Sequence, residues 1–514
     1  DCVSVHLADL TIAGSSLEEI IALADRYQAW AQIERAFHQA DLAAQSWLGQ
    51  GNVDTRALKN ILGVLSGLVY PYNALGAAPD TIAANRLGQP GLWRLGISGD
   101  YPILLVELDD SRQLELVRQA MECHRYLRSR RFETDLVILN QQQTDYGAEL
   151  NGLLYRLASR VNSDQWLNQR GGIFIVYSDQ MHPDERTLLR TAARVILYGE
   201  RGSLEEQLPG YSIQVQHLPH FAPVRERPHP QVHLPVGEKT EEEKELQFYN
   251  GHGGYSKDGR EYVIHVGPGE PTPAPWVNVI GYPTFGFLVS EGGSQTTWAL
   301  NSGENRLTPW FNDPVRDPTG EALYLRDEET GEVWTPTPLP AGEEELYTVR
   351  HGAGYTIFEH ESHGLAQSLT LFASPEDPVK IIHLRVKNTW DHTRRITATQ
   401  YVEWVLGLTH AASQPFIIPE FDPSRECLLA TNPYNTEFAG RVAFLTTCDP
   451  IHGLTADRLE FIGRNGSMRS PAALRRIGLE RRITPGEDPC AVLQVHLDLQ
   501  PGATEEIYFI LGQG

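Results

Sequence analysis

FYNGHGGYSKDGREYVIHV (248–266) and TPAPWVNVIGYPTFGFLVSEGGSQTTWALNSGENRLTPWFNDP (272–314) decide the fold of the larger part of this chain. Apolar and polar residues alternate in EYVIHV and TFGFLVS, and Gly, Asn and Asp punctuate them, as in half-buried antiparallel strands joined by tight turns. The glycines of YNGHGGYSKDGREY also suit close backbone approach to an anion. The segment lacks G-K-[ST] and any strand-to-helix context, however, so Lys257-Asp258-Gly259 reads as a hairpin turn.

The same character continues to the end. YTIFEHES, SLTLFAS, VKIIHLRVKN, RRITATQYVEWVLG, RVAFLTT, CAVLQVHLDL and EEIYFILG are strand-length runs separated by turn residues. Residues 246–514 are therefore expected to form a large two-sheet antiparallel β-sandwich.

Upstream the period changes. Ser16 with Glu19 three residues on starts a helix, a second is expected over Trp30–Trp47 and a third over Thr55–Val69, giving a helical segment at 15–78. YPILLVEL (101–108), DLVILN (135–140) and GGIFIVYS (171–178) are apolar strands, with amphipathic runs near Gln113–Arg130, Tyr146–Val161 and Asp184–Tyr198. That order predicts βαβ units around a parallel sheet in a small α/β domain at 79–210. The turn GLWRLGISGD (91–100) feeds its first strand, with Asp100 a candidate acid and Trp93 and Arg94 candidates for an interdomain contact. Residues 211–245 hold no period: they are Pro- and His-rich, then acidic, and read as a linker or surface strap ending in a solvated helical turn. Val3, Val5 and Leu7 alternate like a strand, so 1–14 reads as the tail of a preceding β domain. A start at Asp1 rather than Met makes the chain look like a piece of something longer.

At 514 residues with 41% hydrophobic content the chain can bury ordinary cores. A formal charge of −23 argues against a nucleic-acid partner, because phosphate binding needs concentrated Lys and Arg. Cys2, Cys123, Cys427, Cys448 and Cys490 have no C-x-x-C spacing and read as reduced thiols. No run of about 18 apolar residues appears, so no transmembrane segment is expected.

Among residues that carry chemistry, His217, His220, His229 and His233 lie between prolines that fit no single face and read as solvent-exposed rather than metal-binding. Glu304, Asp313, Glu359 and Glu403 are of the type that flanks a glycosidic bond, yet each reads as a turn or surface residue. Trp276, Trp298, Trp310 and Trp334, with Asn301, Asn305, Arg306 and Asn312, form a denser signal. Aromatic faces stack on sugar rings, while amide and guanidinium groups hydrogen-bond hydroxyls.

On TPAPWVNVI, FGFLVSEGGSQTTWALNSGENRLTPWFNDPV, GEALYLRDEETGEVWTPTPLP, VRHGAGYTIFEHESHGL, DPVKIIHLRVKN and ATNPYNTEFAGRVAFL the chain resembles the sandwich domain of the phosphorylase-type module in cyclic β-1,2-glucan synthases. That domain is similar to the N-terminal sandwich of the cellobiose and chitobiose phosphorylases of glycoside hydrolase family 94. ANRLGQPGLWRLGISGDYPILLV and DLVILN resemble the synthases' intermodular region. The resemblance implies a galactose-mutarotase-like supersandwich, whose catalytic (α/α)₆ barrel, with its acidic aspartate, would follow Gly514. It implies a cytoplasmic-facing part of an inner-membrane protein that uses UDP-glucose and inorganic phosphate as substrates, with no cofactor in this segment. The expected partners are β-1,2-glucan or a gluco-oligosaccharide, the downstream barrel and a second copy of the chain. A soluble β-1,2-oligoglucan phosphorylase and a stand-alone carbohydrate-binding protein remain alternatives. Within the family a sandwich loop reaches the acceptor side of the active site. ENRLTPW is its best match, making Arg306 and Trp310 the expected sugar contacts, helped by Asn305 and Asn312; no catalytic residue is expected here.

Overall fold

The computed structural model describes residues 7–51, 55–70, 74–142, 144–208, 217–224, 245–267 and 271–514. Residues 7–14 form no strand, and Val3 and Val5 lie outside the described residues, as do Pro71, His229, His233 and most of the acidic run.

Helix α1 (Leu17–Arg26) starts where Ser16 Oγ accepts from the Glu19 amide at 3.2 Å, as the cap signal predicts. It is followed by α2 (Trp30–Gly51) and α3 (Thr55–Val69). Among the described residues of these helices, α3 carries the firm packing, burying Ile61, Val64 and Leu68. A Cβ on Gly67 would stand 2.8 Å from Val195, so glycine permits the close approach of α3 to the sheet beneath.

That sheet has four parallel strands in the order β3-β2-β1-β4, with β1 (Ile103–Leu108), β2 (Asp135–Asn140), β3 (Ile173–Tyr177) and β4 (Ala193–Tyr198). Every residue of β1 and β2 is buried, because helices cover both faces and leave no side for polar residues. The fourth strand corrects the expected helix over Asp184–Tyr198: the helix stops at Ala192, and Ala193–Tyr198 pairs with β1. The polar partners of Trp93 and Arg94 lie within the α/β body and not in the sandwich. Arg94 pairs with Glu185 at 2.6 Å, and Trp93 donates to Ser98 O. The bodies meet where Gly88 and Gly99 approach Tyr434, which stacks on Phe416 with ring centroids 3.7 Å apart.

Strands β5 to β22 follow, numbered in chain order. A ten-stranded antiparallel sheet runs β17 (Ile418–Asp422), β18 (Cys427–Thr431), β19 (Val442–Thr447), β22 (Thr504–Gln513), β15 (Val379–Asn388), β14 (Leu365–Ala373), β13 (Tyr355–Ser362), β12 (Tyr347–Gly352), β6 (Glu261–Val266), β5 (Gly253–Tyr255). A five-stranded sheet runs β11 (Val333–Trp334), β10 (Glu321–Asp327), β16 (Arg394–Glu403), β21 (Pro489–Leu499), β20 (Gly453–Asp457), and β7 (Val277–Tyr282), β8 (Phe285–Ser290) and β9 (Gln295–Ala299) make a third. β14 alternates buried and half-buried residues along its whole length, the pattern of a strand with one face in a core. One continuous core joins all three sheets, from Phe285 and Phe287 to Trp404, Leu493 and Phe509. The Lys257–Gly259 turn joins β5 to β6, with Gly259 at φ +71°.

The strap at 217–224 lies along the sandwich. Phe221 N donates to Arg475 O at 2.8 Å, Ile477 N to Pro219 O at 3.1 Å, and the Arg326 guanidinium sits 4.6 Å over the Phe221 ring. Among the described residues no helix is long and apolar enough to cross a membrane.

Candidate functional site

The loop after β9 is built from short-range bonds. Leu300 turns at φ +63°, Asn301 Oδ1 accepts from the amides of Gly303 (2.8 Å) and Glu304 (3.0 Å), and Asn305 N returns to Asn301 O at 3.0 Å. The next residue clips the loop to a second segment: Arg306 N donates to Gly407 O at 3.1 Å and Gly407 N to Arg306 O at 3.2 Å. Thr308 Oγ1 then donates to Glu321 Oε1 at 2.8 Å. Glu321 also forms a fully buried pair with Lys380 at 2.7 Å. A buried charge pair with its remaining lone pairs occupied makes a stiff anchor for the segment bonded to it.

On either side of Thr308 in the chain stand Arg306, Trp310 and Phe311. Trp310 is 48% exposed and Phe311 47%, beside Leu300 and Leu408, also exposed. The Arg306 guanidinium lies 5.2 Å from the centroid of the Trp310 ring, donating from Nε to Ser302 O (2.9 Å) and from Nη1 to Leu408 O (3.0 Å). Two of its five N–H groups are thereby fixed, leaving others to donate outward. Asn312 is exposed in the left-handed region at φ +48°.

Asn305 does not share this face. It is 1% exposed, and its amide donates to Ala299 O (2.8 Å) and Gln513 Oε1 (2.7 Å), so it ties the loop to β22 and has no surface to offer a ligand. Of the four tryptophans, Trp334 is wholly buried, donating to Gln367 Oε1 at 2.9 Å, while Trp276 and Trp298 are half-buried; Trp310 alone stands out from the fold.

The four candidate acids are not brought together. Glu359 is on β13 in the ten-stranded sheet, paired with Arg350, and Asp313 caps its own turn through the amides of Val315 and Arg316. Glu304 is exposed and contributes its carbonyl to Asn435. Glu403, expected at a surface, is 5% exposed and part of an ionic network behind the loop. Its oxygens face Arg458 Nε (3.1 Å) and His410 Nδ1 (3.4 Å), and Asp488 meets His410 Nε2 at 2.9 Å and Arg458 Nη1 at 3.2 Å. Burial opposes charge on His410, but Asp488 and Glu403 outweigh it and lift the imidazole above its ordinary value. Asp488 moves oppositely: burial raises it, His410 and Arg458 prevail, and its carboxyl ends below the usual range. The network holds 404–410, the partner segment of Arg306, in place. No local motif could have flagged it, since its members come from β16, the 404–410 segment, the helix Arg458–Ile462 and the turn before β21.

His217 is half exposed and reaches Glu480 at 2.9 Å, and His220 bridges to Arg476 through its backbone. Among the described residues no group of three His, Cys, Asp or Glu side chains could hold a metal ion.

Residues 260–514 match the family model described as glycosyl hydrolase 94, supersandwich domain. The chain is 31% identical over 515 residues to the cyclic β-(1,2)-glucan synthase NdvB of Rhizobium meliloti (strain 1021), an alignment taking in 98% of this chain and 18% of that protein. It is 27% identical over 270 residues to the N,N′-diacetylchitobiose phosphorylase of Vibrio furnissii, covering 51% of this chain and 33% of the relative. Among solved structures, a galactose mutarotase related enzyme from Lactobacillus acidophilus aligns with a TM-score of 0.26 at 8% identity, over 46% of this chain and 97% of that one. The chain thus spans a third or less of these two curated relatives.

Proposed function

We propose that this chain, whose residues 260–514 match the supersandwich domain model of glycosyl hydrolase family 94, is the carbohydrate-contacting scaffold of a phosphorylase-type module within a longer β-1,2-glucan synthase. The observation that carries this reading is Trp310, an exposed indole on a loop fixed at both ends, with Arg306 beside it. The indole face stacks on the apolar side of a glucose ring, and the free guanidinium N–H groups of Arg306 and the amide of Asn312 hold hydroxyls. A rigid loop loses little entropy on binding, which favours it as one wall of an acceptor site.

In this reading the chemistry is done elsewhere. A barrel following the sandwich supplies the general acid and the phosphate site, UDP-glucose is consumed in a separate transferase module, and the parent protein sits in the inner membrane. The barrel packs next to the loop, and the exposed Leu300, Phe311 and Leu408 border the shared site.

Calorimetric titration with linear β-1,2-gluco-oligosaccharides tests the sugar contact. Trp310→Ala is expected to weaken binding about ten-fold or more and Arg306→Ala by a similar factor, on the order of 1.4 kcal/mol each. Wild-type affinity in both variants would remove the loop from the site. Asn305→Ala separates the two kinds of role: it is expected to lower stability by about 1–3 kcal/mol, since it strips a buried donor from two acceptors.

A further inference from the structure

The outer face of the five-stranded sheet carries a second polar cluster. Thr397 on β16 lies opposite His496 on β21, and Arg395 lies opposite Asp498, to which it donates from Nε (2.6 Å) and Nη2 (2.8 Å). Arg326 donates from Nε to Glu328 Oε1 at 2.8 Å, and the Thr397 hydroxyl bonds the same oxygen. A carboxylate only accepts, so the hydroxyl hydrogen of Thr397 is committed to Glu328. The Thr397 oxygen therefore accepts from His496 Nδ1, 2.9 Å away. For the neutral imidazole this hydrogen-bond pattern assigns the proton to Nδ1 and the lone pair to Nε2.

His452 stacks against His496 with ring centroids 3.8 Å apart and a 37° tilt, and it is exposed where His496 is half-buried. Burial holds both imidazoles below their ordinary value, with Arg326 and Arg395 adding to the effect and Glu328 opposing it.

The chemistry of this cluster selects among ligand classes. Arg395 is paired with Asp498 and Arg326 with Glu328, so these charges are spent on each other and neither an anion nor a cation gains both of its partners here, and the described residues supply no third metal ligand. A neutral polyhydroxylated molecule suits what remains: its hydroxyls donate to Nε2 and accept from the exposed Arg481.

We propose that His496, oriented by Thr397 and Glu328 and flanked by His452, forms a second saccharide subsite on the outer face of the five-stranded sheet. It lies about 20 Å from Glu403, six residues along β16 at about 3.3 Å each, and so stands apart from the Arg306–Trp310 loop. Two contacts at that spacing hold a long glucan chain with greater avidity than either alone.

The test is a titration of the ¹⁵N-histidine-labelled chain at pH 7.5 with linear β-1,2-gluco-oligosaccharides, following the ring nitrogens. His496 is expected as the Nδ1–H tautomer, with its Nε2 signal shifting on addition of saccharide. Thr397→Val removes the acceptor that fixes this tautomer, and is expected to raise the saccharide concentration needed by about five-fold, the worth of roughly one hydrogen bond. His496→Gln, which cannot reproduce the oriented imidazole, is expected to abolish the response at His452. Trp310→Ala is expected to leave the His496 shift unchanged, so failure of the loop as a sugar contact and failure of this subsite are seen separately. Unshifted His452 and His496 signals at saturating saccharide would overturn the proposal. So would a shift of the same size with inorganic phosphate, or an undiminished response in Thr397→Val.

Discussion

Two residues next to the loop show how its position is maintained. Lys380 and Glu321 are both fully buried, and Glu321 Oε1 also accepts from Thr297 (2.6 Å) and Thr308 (2.8 Å). Burial pulls Lys380 below its ordinary value, and Glu321 opposes that pull. Glu321→Ala is expected to cost about 3–5 kcal/mol, because it strands a buried ammonium, whereas the double replacement Glu321→Leu with Lys380→Met recovers most of the loss. Chemical denaturation midpoints of the two variants check this. His410 supplies a pH dependence. Its folded value is raised, so its stabilisation is complete below the unfolded value of about 6.5 and is lost as pH rises through the folded value. The melting temperature of wild type should exceed that of His410→Asn at pH 6, with the gap closing by pH 9. None of this was visible in the sequence, where Glu403 read as a surface acid and His410 drew no notice. Asn305 illustrates the converse: a residue type suited to sugar recognition was placed inward, because the loop needed an amide to reach Gln513.

Among the elements, boundaries marked by local chemistry were the legible ones. The start of α1 follows from Ser16, and the alternation of VKIIHLRVKN gives β15. β4 was not legible: TLLRTAARVILY carries no Gly or Pro at its midpoint and has the look of one helix. Its second half becomes a strand because the slot beside β1 buries Val195, Ile196 and Leu197 in a parallel ladder, a non-local gain that outweighs weak local preference. The 217–224 strap is a different case, an element without periodicity whose conformation comes from what it lies on. Phe221→Ala removes its contact with Arg326 and is expected to speed proteolytic cleavage within 217–224 while leaving the sandwich intact. Equal cleavage rates in the two proteins would show that the backbone bonds to Arg475 and Ile477 suffice to hold it.

For the whole molecule, the α/β body and the supersandwich meet at Tyr434, whose ring stacks on Phe416 and whose hydroxyl lies where a Cβ on Gly99 would come within 2.9 Å. Arg194 adds a bond to Ala411 O at 3.2 Å, directly beside His410. Tyr434→Ala is expected to split a single calorimetric unfolding transition into two, as the bodies lose their common packing; one unchanged transition would place the coupling elsewhere. The sequence by itself determined the antiparallel sandwich and the parallel sheet, because alternation, apolar runs and turn residues act over a few neighbouring positions, while the family likeness was carried by longer motifs such as FGFLVSEGGSQTTWALNSGENRLTPWFNDPV. Only the tertiary structure decided which polar residues face outward and which are internal struts. It set Trp310 outward and Asn305 inward, buried Glu403, and joined His452 to His496. Those outcomes depend on strands distant in sequence lying side by side, and nothing local encodes which face such a residue will share.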